Sequence, residues 1–252
     1  HRGLPRVSVP FSRPMKPFLI LETGLPIDAL RRHGSFGHWI RVAAGLHGRE
    51  VRECRVACGE NLPDASDYAG VFITGSGAMV SDREAWSERS ADWLRDAAEA
   101  GKPLFGICYG HQLLAHALGG EVHYNPRGRE MGTVPLDLAP SAADDPLFAG
   151  LPRRMPAQTT HLQTVLKPPT NAQVLASSEK DDCQAFRWGE QVWGVQFHPE
   201  FSADMMRGYI QARREALERE GIAHRELLRS VKPSPQARRV LKRFVHRARR
   251  HR

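Results

Sequence analysis

A single cysteine lies between two glycines at the point where a short apolar run meets a helical pattern. In the stretch GICYG, Cys108 stands midway between Gly106 and Gly110. This spacing is typical of a nucleophile elbow, in which a strand turns sharply into a helix and exposes the central side chain at the carboxyl edge of a sheet. The free N–H groups of the helix N-terminus would favour the thiolate. The pattern predicts a nucleophilic thiol, although a buried cysteine beside a glycine-rich turn would have the same spacing.

A histidine and a glutamate follow about ninety residues later, in the sequence WGVQFHPEF. A thiol nucleophile needs a base that takes its proton, and that base needs an acceptor that fixes its tautomer. His198 and Glu200 could fill these two roles. Pro199 between them disfavours a helical conformation at His198. The tripeptide is a weak motif alone, because a surface turn explains it equally well.

Short apolar runs alternate with amphipathic helical patterns through most of the chain. This alternation predicts an α/β fold with a mostly parallel central sheet flanked by helices. From about residue 121 to 192 the sequence becomes rich in strand and loop signals, with GTVPLDL and AQVLASS as candidate strands. The other predicted strands are 17–22, 70–75, 102–107 and 191–197, and the predicted helices are 35–46 and 85–101.

Composition limits the class of protein and its surroundings. A chain of 252 residues with 41% hydrophobic residues can bury one substantial core. Its four cysteines are too few for a disulfide framework, which favours a reducing, cytoplasmic compartment. No apolar stretch approaches the roughly 20 residues of a membrane span. We expect residues 1–14, with three prolines, to be an extension outside the core, and 15–252 to form one domain.

The positive charge is concentrated at the C-terminal end. The whole chain carries 36 Lys and Arg against 28 Asp and Glu, a formal net charge of +8. Residues 203–252 hold 15 of the basic residues and 5 of the acidic ones, a surplus of +10. Helices are expected within 202–252, the first of them a single helix over SADMMRGYIQARREALEREG. In the last one, apolar residues form one stripe, which favours a docked helix over a nucleic-acid or acidic-partner surface: Val240, Leu241, Phe244, Val245 and Ala248.

Taken together, GICYGHQ and GVQFHPE resemble the class I glutamine amidotransferase family, with similarity from roughly residue 17 to 201. The resemblance implies a flavodoxin-like architecture with Cys108 as nucleophile, His198 as general base and acid, and Glu200 as the residue that orients His198. It also implies an oxyanion hole formed by the backbone N–H of Tyr109 and one from the loop TGSGAMVSD. Ser76 is the expected second donor, and Gly75-Ser76-Gly77 stands where Gly-Gly-Pro is more usual in the family.

The resemblance further implies a set of substrate-binding positions. Gly75 lies in the same glycine-rich loop, and Gln112 follows the cysteine by one helical turn. The stretch TTHLQTV stands where the family carries a Ser-His-Gly-Asp-like sequence, so Thr160 and Leu162 would offer backbone groups to the substrate. Gln163 departs from the expected acidic residue, and His161 could equally be a surface-loop histidine.

The implied reaction is hydrolysis of the glutamine side-chain amide through a γ-glutamyl thioester, with ammonia released to a separate synthetase chain. A γ-glutamyl peptidase acting on glutathione-type compounds is the alternative interpretation, and a non-catalytic binding module is a third. Neither a cofactor nor a metal is required. Cys54 and Cys58 have suitable spacing for a metal, but no second ligand pair accompanies them.

Overall fold

A computed structural model describes residues 14–251, so the predicted extension at 1–14 lies outside the described residues except for Pro14. Nine strands form one sheet in the order β2-β1-β3-β4-β11-β10-β9-β6-β7, and β5 and β8 form a separate antiparallel pair. The strands are β1 (Phe18–Leu21), β2 (Val51–Cys54), β3 (Gly70–Ile73), β4 (Leu104–Ile107), β5 (Glu121–Tyr124), β6 (Glu130–Leu138), β7 (Arg154–His161), β8 (Gln163–Lys167), β9 (Gln173–Ser177), β10 (Ala185–Trp188) and β11 (Val192–Val195).

Helices cover both faces of this sheet. They are α1 (Phe36–Ala44), α2 (Ala85–Glu99), α3 (Tyr109–Ala117), α4 (Ala203–Ala212), α5 (Arg214–Arg219), α6 (His224–Ser230) and α7 (Pro235–Arg250). The prediction of a mixed α/β fold with a large central sheet between helices is confirmed. All six predicted strands and both predicted helices occur. Each is shorter than its apolar pattern by a few residues, except β6, which begins two residues before the predicted GTVPLDL.

Five strands, β2, β1, β3, β4 and β11, run parallel. Strands β1, β3, β4 and β11 are buried along their whole length, as expected for parallel strands covered on both faces. Helices α1 and α7 pack on one face and α2 and α3 on the other. Because parallel strands end at the same edge, this half brings the loops after β3, β4 and β11 together.

The other half of the sheet is antiparallel, from β11 through β10, β9, β6 and β7. The longest pairing joins β6 and β7 in register from Glu130 opposite His161 to Asp137 opposite Arg154. Strand β7 ends beside the carboxyl edge of the parallel half, where the Gln158 carbonyl accepts from the His198 N–H at 2.8 Å. This half corresponds to the segment in which the sequence predicts strands rather than helices.

The C-terminal segment differs from its prediction at one position. Ser202 caps α4 by accepting a hydrogen bond from the Met205 N–H at 3.1 Å, but the predicted single helix is wrong, because Arg213 interrupts it with a ψ angle of 10°. The break allows Ile210 of α4 and Leu217 of α5 to pack into the same apolar cluster.

The last helix docks with its apolar stripe inward, as predicted. Phe244 is fully buried, and its ring lies 5.1 Å from the Phe72 ring and 5.3 Å from the Phe105 ring, measured between centroids. Arg243 reaches the carbonyl oxygens of Leu147 and Ala149. Within residues 14–251, no helix is long and apolar enough to cross a bilayer.

Candidate active site

Cys108 occupies the turn between β4 and α3 in a conformation that L-residues rarely adopt. Its φ is +52° and its ψ is −103°, which is backbone strain of the kind that clusters at functional sites. The neighbouring glycines make the turn possible. A Cβ at Gly106 would lie 2.4 Å from the Gly110 carbonyl oxygen, and a Cβ at Gly110 would lie 2.4 Å from the Ile73 carbonyl oxygen. The predicted reason for the two glycines, relief of crowding, therefore matches the geometry.

Three groups surround the thiol of Cys108, a buried residue that is 7% exposed overall. Its Sγ lies 3.7 Å from the Thr160 carbonyl oxygen. The side-chain amide of Gln196 donates a hydrogen bond to Sγ at 3.5 Å. The imidazole of His198, at the end of the segment after β11, also interacts with the thiol. The sulfur thus lies between a base and a neutral donor, which suits a reactive thiolate.

The imidazole of His198 is held on two sides. Its Nδ1 lies 3.1 and 3.2 Å from the two carboxylate oxygens of Glu200, and both residues are buried. Its ring stacks on Phe201 with centroids 4.1 Å apart and planes 15° from parallel. Burial alone would lower the pKa of His198, but the Glu200 carboxylate and the Cys108 sulfur outweigh burial and raise it. The site therefore favours a protonated imidazolium beside the sulfur.

The loop after β3 forms the opposite wall. Ser76 and Tyr109 line one pocket together with Cys108. The N–H of Tyr109 belongs to the first turn of α3, where backbone N–H groups have no intrahelical acceptor. Gly75 is close to the base, since a Cβ there would lie 3.0 Å from Cε1 of His198. Thr23 fixes this loop, because its hydroxyl donates to the Thr74 carbonyl at 2.7 Å.

The remaining predicted substrate positions, Gln112, Thr160 and Leu162, line the same pocket, but several of their polar groups are already used. The side-chain amide of Gln112 donates to the Gln163 carbonyl at 2.8 Å and to Oε1 of Gln196 at 3.0 Å. Only its oxygen can therefore contact a ligand. The Leu162 carbonyl accepts from the Asn125 N–H at 2.9 Å, whereas the Leu162 N–H donates in none of the loop and turn hydrogen bonds of residues 14–251 and is available to a ligand.

His161 is buried, so its interpretation as a surface-loop residue is wrong. It ends β7, where pairing with β6 draws it inward against Glu130. Its Nδ1 lies 2.7 Å from the Gln163 carbonyl oxygen and its Nε2 lies 2.8 Å from Oε1 of Glu130. Because both partners can accept, the contacts at both ring nitrogens are satisfied together when His161 is an imidazolium beside an ionised Glu130. Burial lowers its pKa, but the hydrogen bond and charge of Glu130 prevail and raise it.

One group of three residues among those described could supply metal ligands: Glu130, His161 and Asp181. Their ligand atoms lie within 4.8 Å of one another, but His161 already donates to Glu130, so a cation would have to displace that proton. Burial raises the pKa of Asp181 to about 6. The pair Cys54 and Cys58 is divided, with Cys54 buried and Cys58 exposed.

Three residues near the thiol were missed by sequence reasoning. Gln196 bridges Cys108 and Gln112, and it precedes His198 by two positions, which is the period of one strand face. Arg129 and Arg213 line the pocket, and no motif in the sequence marks either of them. The side chain of Gln163, where an acidic residue was expected, accepts from the Ser81 N–H at 3.3 Å and anchors the loop after β3.

Comparison with known proteins identifies the family to which the chain is similar. Residues 33–213 match the family model described as glutamine amidotransferase class-I. A GMP synthase [glutamine-hydrolyzing] from Aeropyrum pernix is 37% identical over 168 residues, which cover 62% of this chain and 30% of that protein. The corresponding Porphyromonas gingivalis protein is 38% identical over 161 residues, again 62% of this chain and 30% of that protein. The chain thus spans about a third of the length of these curated relatives.

Solved structures agree on the fold. A glutamine amidotransferase from Thermotoga maritima superposes with a TM-score of 0.72 at 22% identity, covering 94% of this chain and 99% of that one. A glutamine amido transferase from Methylobacillus flagellatus gives a TM-score of 0.73 at 24% identity, covering 92% and 95%. At these identities the likeness extends to the fold alone. The family match over residues 33–213 carries the assignment, and this chain belongs to the class I glutamine amidotransferase family.

Proposed function

We propose that this chain hydrolyses the side-chain amide of glutamine with Cys108 as nucleophile, His198 as general base and acid, and Glu200 as the residue that orients His198. The observation that carries the proposal is the strained turn at Cys108, which presents the sulfur to His198 while Glu200 holds the far side of the imidazole. A buried structural cysteine has no need of positive φ or of a paired histidine.

In the first half of the reaction, the Cys108 thiolate attacks the γ-carbonyl carbon of the substrate. The carbonyl π electrons move to oxygen, and the N–H groups of Ser76 and Tyr109 are the proposed donors to that oxyanion. Losing one such donor typically raises the barrier by about 2.7–4 kcal/mol. As the intermediate collapses, the C–N bond breaks and His198 transfers its proton to the nitrogen, so that ammonia leaves and a γ-glutamyl thioester remains.

In the second half, neutral His198 accepts a proton from water as the water oxygen attacks the thioester carbonyl. The C–S bond then breaks, which releases glutamate and restores the thiolate and imidazolium. Glu200 stabilises the imidazolium in both halves, since it is buried within 3.2 Å of Nδ1. Gln112 and Leu162 are proposed to contact the amino-acid end of the substrate through the groups that the protein leaves free.

We further propose that the ammonia serves a separate synthetase chain. The curated relatives are named GMP synthase [glutamine-hydrolyzing], and this chain matches about a third of their length. A γ-glutamyl peptidase is the second candidate. It is favoured by the pocket rim at the loop after β3, where Gly77 is exposed, since a leaving group larger than ammonia could extend there into solvent. The buried stripe of α7 argues against a nucleic-acid-binding module.

The test is turnover of glutamine, glutathione and a γ-glutamyl dipeptide by the purified chain and by a Cys108→Ala variant. We expect the unmodified chain to release glutamate and ammonia from glutamine, and the variant to release neither. Alanine tolerates this backbone conformation no worse than cysteine does, so the variant should keep its thermal stability. Rapid turnover of glutathione with negligible release from glutamine would favour the peptidase. Equal turnover by the variant would exclude Cys108 as the nucleophile.

A further inference from the structure

The ionisable side chains that line the pocket around Cys108 are mostly basic. Among the described residues that line it, the charged ones are Arg129, His161 and Arg213, and none is an aspartate or a glutamate. A cationic side chain without a partner at such a site attracts carboxylates. Charge at this site therefore points to a ligand that carries a carboxylate.

Two of these three cations already have partners. His161 donates to Glu130 at 2.8 Å. Arg129 is paired with Glu220 through two hydrogen bonds, from Nε at 2.9 Å and from Nη2 at 3.1 Å. The guanidinium of Arg129 is thus largely neutralised, and its side chain is only 10% exposed.

Arg213 is different, because the ion pairs formed within residues 14–251 include none from its side chain. Its backbone is well fixed at the break between α4 and α5. The Arg213 N–H donates to the Tyr209 carbonyl at 3.0 Å, and its own carbonyl accepts from the Leu217 N–H at 2.9 Å. Both Tyr209 and Leu217 are buried. A fixed backbone thus holds an uncommitted guanidinium at the rim of the pocket.

We propose that Arg213 is a specificity-determining residue that binds the α-carboxylate of the γ-glutamyl group. This inference rests on the proposed function and adds the charge selectivity of the site. Glutamine and γ-glutamyl peptides share that carboxylate, so the contact serves either candidate activity. Arginine suits the role because its planar guanidinium pairs with a carboxylate through two hydrogen bonds.

The experiment separates this contact from catalysis by measuring binding as well as turnover. In the unreactive Cys108→Ala background, calorimetry gives the dissociation constants of L-glutamine and of its α-amide, which lacks the carboxylate. We expect Arg213→Ala to weaken glutamine binding by about 10–100-fold, the range for a hydrogen bond to a charged group, and to leave binding of the α-amide within about twofold. Arg213→Lys should recover part of the loss.

The matched control is Arg229→Ala, which removes an exposed arginine of α6 that does not line the pocket. With Cys108 present, Arg213→Ala should raise KM for glutamine and leave kcat nearly unchanged, because the contact is the same in ground and transition states. Equal weakening of glutamine and its α-amide would indicate a merely structural role and overturn the proposal.

Arg213→Ala could instead affect only a γ-glutamyl dipeptide that carries a carboxylate on its leaving group. Arg213 would then bind that carboxylate rather than the α-carboxylate, and the proposal would also be overturned. Absence of turnover by the unmodified chain would contradict the proposed function alone, since the binding comparison would still report whether Arg213 selects the carboxylate.

Discussion

Replacing Glu200 by glutamine removes one charge from behind the His198 imidazole and changes little else. Glu200 is fully buried and does not line the pocket, so the substitution leaves the substrate's surroundings in place. Its carboxylate oxygens lie 3.1 and 3.2 Å from Nδ1. The variant therefore isolates the contribution of that carboxylate to charge on the imidazole.

The size of the effect follows from the separation of the charges. Two unit charges about 4 Å apart, roughly the distance between the centres of an imidazolium and a contacting carboxylate, attract by about 4 kcal/mol at an effective dielectric constant of about 20. Each 1.36 kcal/mol changes a rate about tenfold, so we expect kcat for glutamine to fall by about 10³-fold. KM should change little, because Glu200 is not a lining residue.

The assay combines steady-state hydrolysis of glutamine with alkylation of Cys108 by iodoacetamide at neutral pH. Without the carboxylate, the largest influence that opposes burial is lost and the pKa of His198 falls, so the sulfur has a less cationic partner and alkylation slows. Glu99→Gln, an exposed position near the end of α2, is the matched control and should behave as the unmodified chain. If Glu200→Gln retained more than about a tenth of kcat, far more than loss of this charge attraction allows, Glu200 would not be the orienting residue.

Two further substitutions test the surroundings of the site. Gly110→Ala sets a Cβ 2.4 Å from the Ile73 carbonyl oxygen. The clash should cost an energy near the upper end of about 1–3 kcal/mol, and the higher helix propensity of alanine should offset about 1 kcal/mol of that cost. The net destabilisation should lower Tm by about 4–8 °C. Gly48→Ala, with nothing within 4 Å, should leave Tm unchanged, and equal values for both variants would contradict the clash. Glu130→Gln should destabilise the fold most between the lowered pKa of Glu130 and about pH 6.5. In that range the raised pKa of His161 contributes its full stability, and this stability is lost as the pH rises through the pKa of His161 in the folded protein. Urea unfolding at pH 6 and pH 9 measures this difference, and an equal loss at both would refute a charged His161.

The sequence was informative wherever function imposes a local constraint. The turn at Cys108 requires glycines at fixed offsets, because only they tolerate the close approach of α3 to β3 and β4. Apolar runs identified the buried parallel strands, since these must be hydrophobic on both faces. The same local logic placed the stripe around Phe244 against the sheet.

Contacts between distant segments left no comparable signal. The pair of Glu130 and His161 arises from the antiparallel register of β6 and β7, and register depends on the whole sheet rather than on any short stretch. The break at Arg213 occurs within a continuous helical pattern. It accompanies the packing of Leu217 into a buried apolar cluster, which is a tertiary contact. A single exposed arginine in a basic segment carries no mark of the pocket that it lines.

Covalent trapping tests the central claim most directly. A glutamine-analogue diazoketone should add once to the unmodified chain, and peptide mass analysis should locate the adduct on Cys108, with free glutamine protecting against it. The exposed thiol of Cys58 serves as an internal control for nonspecific alkylation. Cys108→Ala should acquire no glutamine-protectable adduct and should release no ammonia from glutamine. A protectable adduct on Cys54, Cys58 or Cys183, or full hydrolysis of glutamine by Cys108→Ala, would contradict the assignment of the nucleophile.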